Sequence, residues 1–166
     1  MYTRDELLSR NNIRVGETYL KVLIITNQEG LWSKTAEYAA ECSWSAGKSL
    51  ACKMKDNDFC DWERVFVAVE GNEIAGFCTL TKTDCIPDVE YTPYISFVFV
   101  NEHFRGNRLS EMMISHACKY ANEIDFNEVY LVSGERGLYE KYGFEKIDER
   151  MATYGKMAQL FRKQLR

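Results

Sequence analysis

A mixed α/β fold is what this sequence predicts, and three observations carry the prediction. Apolar blocks of strand length alternate with stretches of helical period, and two adjacent blocks are joined by a two-residue turn. Both of those blocks are apolar on either face near their middles. A strand wetted on one face alternates apolar with polar residues, so these two belong in the centre of a sheet with helices on each side.

In chain order, residues 1–18 carry few apolar side chains, and a short helix is expected around Asp5–Ser9. Tyr19–Thr26 (YLKVLIIT) reads as the first strand, stopped by Asn27 and Gly30. From Leu31 to Met54 apolar residues recur at spacings near three and four. Gly47 inside that run predicts two helices or one broken helix. Lys55–Asp58 reads as a loop, with Trp62 pinning its far end to the core. The hairpin follows: Arg64–Glu70 (RVFVAVE) and Glu73–Thr83 (EIAGFCTLTKT) flank Gly71-Asn72, which suits a primed turn. Thr83–Glu90 is a loop rich in acids, and Tyr91–Val100 is the next strand, with Pro93 near its mouth where a missing N–H is tolerated. Helix Leu109–Asn122, strand Glu128–Ser133, a short helix Glu135–Tyr142 ending at Gly143, and closing strands Phe144–Glu149 and Met157–Leu165 complete the chain.

Bulk properties narrow the function. At 166 residues the expectation is one domain, 1–166, able to bury roughly 68–70% of its unfolded surface. A hydrophobic fraction of 46% and a charged fraction of 28% are ordinary for a soluble protein. No apolar run nears the roughly 18 residues of a membrane helix. The polar, mixed-charge start MYTRDELLSRNN does not have the pattern of a targeting peptide, so a cytoplasmic protein is expected, without a membrane partner. A net charge of −4 argues against a nucleic-acid partner. The six cysteines form no C-x-x-C pair and the only histidines are His103 and His116, so no metal site is expected and the thiols read as reduced.

The stretch Tyr91–Met113 draws the chemistry together. A buried strand passes through Arg105-Gly106-Asn107-Arg108 into a helix start, where free N–H groups and the positive end of the helix dipole favour an anion. Read alone, the same stretch is equally an ordinary solvated helix start, because glycine-turn motifs match widely by chance. A second motif, Gly137–Phe144 (GLYEKYGF), changes that balance.

Phe97–Ile114 (FVFVNEHFRGNRLSEMMI) resembles the coenzyme A motif V-x-P-x-x-[QR]-x-x-G-x-[GA] of the GNAT N-acetyltransferase superfamily. Gly137–Phe144 resembles that family's second signature. The match includes Val100 and Arg105. It departs at Asn101-Glu102, in place of the usual residue-proline pair, and at Arg108 and Ser110, in place of glycine or alanine. The resemblance implies a central mixed, mostly antiparallel sheet flanked by helices. A bulge splays one strand from its neighbour and so opens the coenzyme A cleft. It places acceptor-side helices at 31–57 and the cofactor-binding and catalytic core at 91–144.

The roles it implies fall residue by residue. The main chain of Val98, Phe99 and Val100 faces pantetheine, with an N–H near Val98 in the oxyanion role. Arg105, Gly106, Asn107, Arg108, Leu109, Ser110 and Glu111 form the pyrophosphate loop. Arg108 either lies across the pyrophosphate or weakens the site. Tyr139 occupies the general-acid position, since a neutral phenol can supply a proton to departing coenzyme A; spacing alone would make it a core aromatic. An amine acceptor needs a base, and Asp84 and Glu90 at the cleft mouth are both candidates, while either alone is equally a solvated loop carboxylate. Trp44, Trp62, Tyr91 and Tyr94 are candidates for an acceptor wall, and each reads equally as a core or rim residue.

The implied activity is transfer of an acetyl group from acetyl-coenzyme A to a primary amine in a ternary complex. The acidic mouth favours a cationic small-molecule or peptide acceptor. A non-catalytic acyl-coenzyme A-binding or sensing module of the same fold is the alternative, motivated by Arg108 and Ser110. Oligomeric state is open, homodimers being common in the superfamily.

Overall fold

A computed structural model describes residues 13–15 and 18–166. The expected helix at Asp5–Ser9 lies outside the described residues. Among the described residues eight strands form one sheet: β1 (Ile13–Val15), β2 (Thr18–Ile25), β3 (Arg64–Glu70), β4 (Glu73–Thr81), β5 (Tyr94–Val100), β6 (Glu128–Ser133), β7 (Glu145–Met151) and β8 (Met157–Gln164). Their spatial order is β1-β2-β3-β4-β5-β6-β8-β7. Every neighbouring pair is antiparallel except β5–β6. Among the described residues three α-helices flank the sheet: α1 (Leu31–Glu41), α2 (Gly47–Lys55) and α3 (Leu109–Glu123).

β3 and β4 are central, as their doubly apolar sequences require. Phe66, Ala68, Cys78 and Leu80 pack on the face covered by α3, with Leu109, Met113 and Ala117. Val65, Val67 and Phe77 pack on the opposite face under α1 and α2, with Trp32, Ala36, Ala39 and Leu50. Gly71, at φ +58, takes the first position of the two-residue turn between β3 and β4. Primed turns need positive φ there, which glycine adopts without steric cost. The break expected at Gly47 is real, and its cause is contact. A Cβ there would stand 2.3 Å from the Ala39 carbonyl oxygen and 2.6 Å from Cys42 Sγ, so only glycine lets α2 start against the end of α1. Trp62 does anchor its loop: its carbonyl accepts from Tyr120 Oη at 2.9 Å, and its ring meets Phe126 edge-on.

Shifts of one or two residues at the ends of β2, β7 and β8 aside, four elements differ from the sequence reading. β1 was not expected, because three residues are too short a block to read alone; pairing from Ile13↔Leu20 to Val15↔Thr18 makes it a strand. The hairpin's second strand stops at Thr81 rather than Thr83. β5 starts at Tyr94 rather than Tyr91, following a cis Thr92–Pro93 peptide. The helix expected over Glu135–Tyr142 is a single 3-10 turn, Tyr139–Tyr142. Gly137 sits at φ +79, a left-handed conformation that a right-handed helix cannot include.

β4 holds β5 at close range through Gly76. A Cβ at Gly76 would meet the Phe99 carbonyl oxygen at 2.5 Å and Met113 Cε at 3.2 Å. The carbonyl belongs to β5's backbone and yields only if the strand moves. Gly76→Ala is therefore expected to destabilise the protein by about 1–3 kcal/mol, read as a lowered midpoint in chemical denaturation.

Candidate active site

The site is built on an irregularity in β5. Between Phe77↔Phe99 and Thr79↔Ser96 the register slips, so three steps on β5 face two on β4. Phe97 takes φ +51, a left-handed conformation rare for an aromatic residue. The slip leaves Phe97 and Val98 without register partners on β4, while β6 meets β5 only at Tyr94↔Tyr130. Beyond that pair the two strands part. Phe97 and Val98 are thereby left out of the β4 ladder at the mouth of the gap, which is the bulge and splay that the resemblance implied.

The slip also sorts side chains. Ser96 lies opposite Thr79, on the face of Phe77 that looks toward α1 and α2. Phe97 and Phe99 pack on that same face, whereas Val98 packs on the α3 side. Trp44, from the α1–α2 connection, lies flat on Phe99 with ring planes 3° apart at 6.1 Å, and meets Phe97 edge-on at 6.4 Å.

Asp84 reaches this face from the loop after β4. Ser96 Oγ donates to its Oδ2 at 2.7 Å, and the Cys85 N–H donates to its Oδ1 at 2.6 Å. Ser96 Oγ is also 3.2 Å from Thr81 Oγ1. Burial raises the Asp84 pKa above the usual carboxylate value, while the bonds from Ser96 and Cys85 pull it back. Glu90, by contrast, is exposed on the same loop.

Tyr139 approaches from the other face. It is 7% exposed, inside the α3-side core, with its ring against Phe161 at 5.7 Å, Tyr142 at 6.1 Å and Phe144 at 6.3 Å. Burial pushes its phenol up to about 12, against a hydrogen bond from Ser133; the charges of Glu135, Tyr142 and Cys78 add to the rise. Ser133 ends β6, and Cys78 is the β4 residue at the register slip. Asp84 and Tyr139 thus flank the irregular stretch of β5 from opposite faces.

Past Val100 the chain turns into α3, and the turn is tied down at several points. The Asn101 N–H donates to the Ala75 carbonyl at 2.8 Å, its Nδ2 donates to Tyr38 Oη at 2.9 Å, and its Oδ1 accepts from the His103 N–H at 3.0 Å. Arg105 Nε donates to the Val100 carbonyl at 3.2 Å, and Asn107 Nδ2 to the Phe104 carbonyl at 3.1 Å. Val100, Arg105, Gly106, Arg108, Leu109 and Ser110 line a groove of about 300 Å³. Phe104 and Tyr142 complete its lining.

Arg108, standing where the family's motif has glycine, keeps glycine's conformation at φ +56. Its guanidinium turns to its own helix, Nε donating to Glu111 Oε2 at 2.6 Å and Nη2 to Oε1 at 2.9 Å. Ser110 Oγ bonds Tyr142 Oη at 2.9 Å, so the second departure from the motif joins the loop to the Tyr139 turn. A larger groove of about 570 Å³, lined by Lys34, Tyr38, Glu70, Asn72, Glu73 and Ile74, holds none of the residues expected to act.

Three participants escaped the sequence reading: Ser96, Asn101 as an anchor, and Tyr142. Ser96 had a visible signal, being a polar residue inside the apolar run YISFVFV. Among the aromatic candidates, Trp44 lies at the bulge, whereas Trp62 belongs to the α3-side core. Tyr94 is 2% exposed and packs with Tyr91 and Tyr130. Cys78 and Cys118 are buried in the core, His103 is exposed, and His116 Nδ1 bonds the Met112 carbonyl within α3. Among the described residues no helix is long and apolar enough to cross a membrane.

Comparison with known proteins bears on the fold and the family. No curated protein matches the sequence at a significant level. Among solved structures, an acetyltransferase of the GNAT family from Desulfovibrio desulfuricans superposes with a TM-score of 0.66 at 14% identity, covering 89% of this chain and 99% of its own. A GNAT family acetyltransferase from Elizabethkingia anophelis with acetyl-CoA bound gives 0.62 at 16%, covering 87% and 97%. An aminoglycoside 6'-N-acetyltransferase complexed with coenzyme A gives 0.67 at 14%, covering 87% and 97%. At these identities the likeness is one of fold. The family model "Acetyltransferase (GNAT) family" matches residues 31–144, more than half of the chain and including the bulge, the loop groove and Tyr139. By sequence and by fold, the chain belongs to the GNAT acetyltransferase family.

Proposed function

We propose that this protein moves an acetyl group from acetyl-coenzyme A to a primary amine by direct transfer within a ternary complex. The observation that carries the reading is the register slip that leaves Phe97 and Val98 without facing residues on β4, with Asp84 on one face and Tyr139 on the other. In this reading pantetheine lies along Val98–Val100, and a β5 N–H near Val98 polarises the thioester carbonyl. The pyrophosphate rests in the groove on the N–H groups of Gly106–Glu111, with Arg105 and Arg108 adding charge.

Asp84 is the base. An amine is mostly protonated at pH 7 and cannot attack until it loses a proton. Asp84 is the candidate with a fixed carboxylate: Ser96 holds it beside the bulge, whereas Glu90 is left on the rim as an attractant for cations. Tyr139 faces the departing sulfur. Its phenol, pushed up to about 12 by burial, is a weaker acid than a thiol. Its effect is therefore a hydrogen bond that grows as charge gathers on sulfur, ahead of any completed transfer.

The acceptor is a small-molecule or peptide amine, with a cationic one favoured by Asp84 and Glu90. Relatives of this fold include an aminoglycoside 6'-N-acetyltransferase and a spermidine N-acetyltransferase chimera, whose acceptors are of that kind. Calorimetric titration with acetyl-coenzyme A, followed by thiol release over a panel of amines, tests the proposal. Binding with amine-dependent thiol release is expected. Binding without release on any amine would make the protein a sensing module instead, and no binding would end both readings.

A further inference from the structure

The loop that would receive the pyrophosphate carries two arginines, and each is already engaged by a glutamate. Arg105 Nη2 stands 3.6 Å from Glu102 Oε1, and Arg108 makes a two-point contact with Glu111. Glu102 in turn accepts from Ser43. The formal charges of Glu102, Arg105, Arg108 and Glu111 cancel, so this part of the loop is charge-balanced where an anion-binding loop ordinarily carries an excess of positive charge.

The Arg108 contact has the shape that matters. A guanidinium presents parallel N–H bonds in a planar fork that suits a carboxylate and a phosphate equally. Glu111 takes that fork with both oxygens. Arg108 lines the groove and Glu111 does not, so the carboxylate that holds the guanidinium stands outside the groove's lining. The Arg108 side chain is 75% exposed, while that of Glu111 is 31% exposed and stands in the first turn of α3.

We propose that Glu111 is an internal competitor for the cofactor's phosphates. In the free protein it occupies Arg108; when coenzyme A binds, Arg108 exchanges the Glu111 carboxylate for a phosphate oxygen. Cofactor affinity then rests mainly on main-chain N–H groups, with the Arg108 charge discounted by Glu111. The inference builds on the acetyl-coenzyme A site proposed above, and it gives the Arg108 substitution a defined consequence: a tunable, attenuated cofactor affinity.

The test is a calorimetric series with acetyl-coenzyme A on wild type, Glu111→Gln, Arg108→Ala and the double variant, at low and high salt. Glu111→Gln keeps the side chain's shape and removes its charge. It should tighten binding by about two- to fivefold at low salt, the range expected for one exposed charge pair, and steepen the salt dependence. Arg108→Ala should weaken binding, and in its background Glu111→Gln should lose most of its gain. Unchanged or weaker binding by Glu111→Gln would overturn the proposal, showing that the carboxylate positions Arg108 rather than competes for it. A full gain retained without Arg108 would overturn it as well. Absence of binding by the wild type would instead sink the functional reading on which the inference rests.

Discussion

Replacing Tyr139 by phenylalanine is expected to lower kcat by about 10²–10³, with acetyl-coenzyme A affinity within about twofold of wild type. The substitution deletes one oxygen and keeps the ring, whose contacts with Phe161, Tyr142 and Phe144 hold the turn in place. Its cost to stability should be about 1 kcal/mol or less, since one polar atom is removed and the ring packing is kept. The loss should fall on turnover because the phenol's contribution grows only as sulfur takes up charge. Burial holds the phenol near 12, so the wild-type rate should show no alkaline limb from this group below about pH 11. Steady-state rates beside calorimetry separate the two quantities. An unchanged kcat would return Tyr139 to the role of a core aromatic.

Asp84→Asn is the second large effect, and it should move activity and stability in opposite directions. Without the carboxylate, kcat/KM for an amine should fall by about 10²-fold or more. In the wild type, activity should rise with pH through the raised Asp84 pKa, since only the ionised form accepts a proton, and that acid limb should vanish in the variant. The stability sign follows from the same shift. Burial raises the folded pKa above the unfolded value, so the neutral carboxyl favours folding. That stabilisation is complete below the unfolded pKa and is lost as pH rises through the folded pKa. At neutral pH the ionised group is a net cost, which asparagine removes while its amide can still bond Ser96. Thermal unfolding at pH 7 should therefore show Asp84→Asn at or above the wild-type midpoint, with the gap closing in acid. A variant that loses both activity and stability would mark Asp84 as structural.

How much of this was legible in the sequence depends on the range of the interaction. Strand Glu128–Ser133 was readable to the residue, and helix Leu109–Asn122 to within one, because apolar period and local breakers specify them. The helix predicted over Glu135–Tyr142 failed on the conformation of a single glycine, Gly137. Tyr139 was legible as part of a motif, and its burial agreed with both the catalytic and the packing reading. Ser96 was visible as an odd residue, but its partner was not, since Asp84 lies twelve positions away across a loop.

By itself, then, the sequence determined the order and type of the elements, the centrality of β3 and β4, and the family to which the chain belongs. These follow from side-chain period, turn chemistry and short motifs, all written within a few consecutive residues. Only the tertiary structure decided which carboxylate stands beside the bulge and where Arg108 turns. The register slip at Cys78 sets Ser96 on the face that Asp84 can reach, and Arg108 meets Glu111 because its left-handed backbone starts α3 beneath it. Those outcomes depend on backbone register and on competition between neighbouring charges. Neither is encoded by the identity of one residue, so each became readable only once the strands were paired.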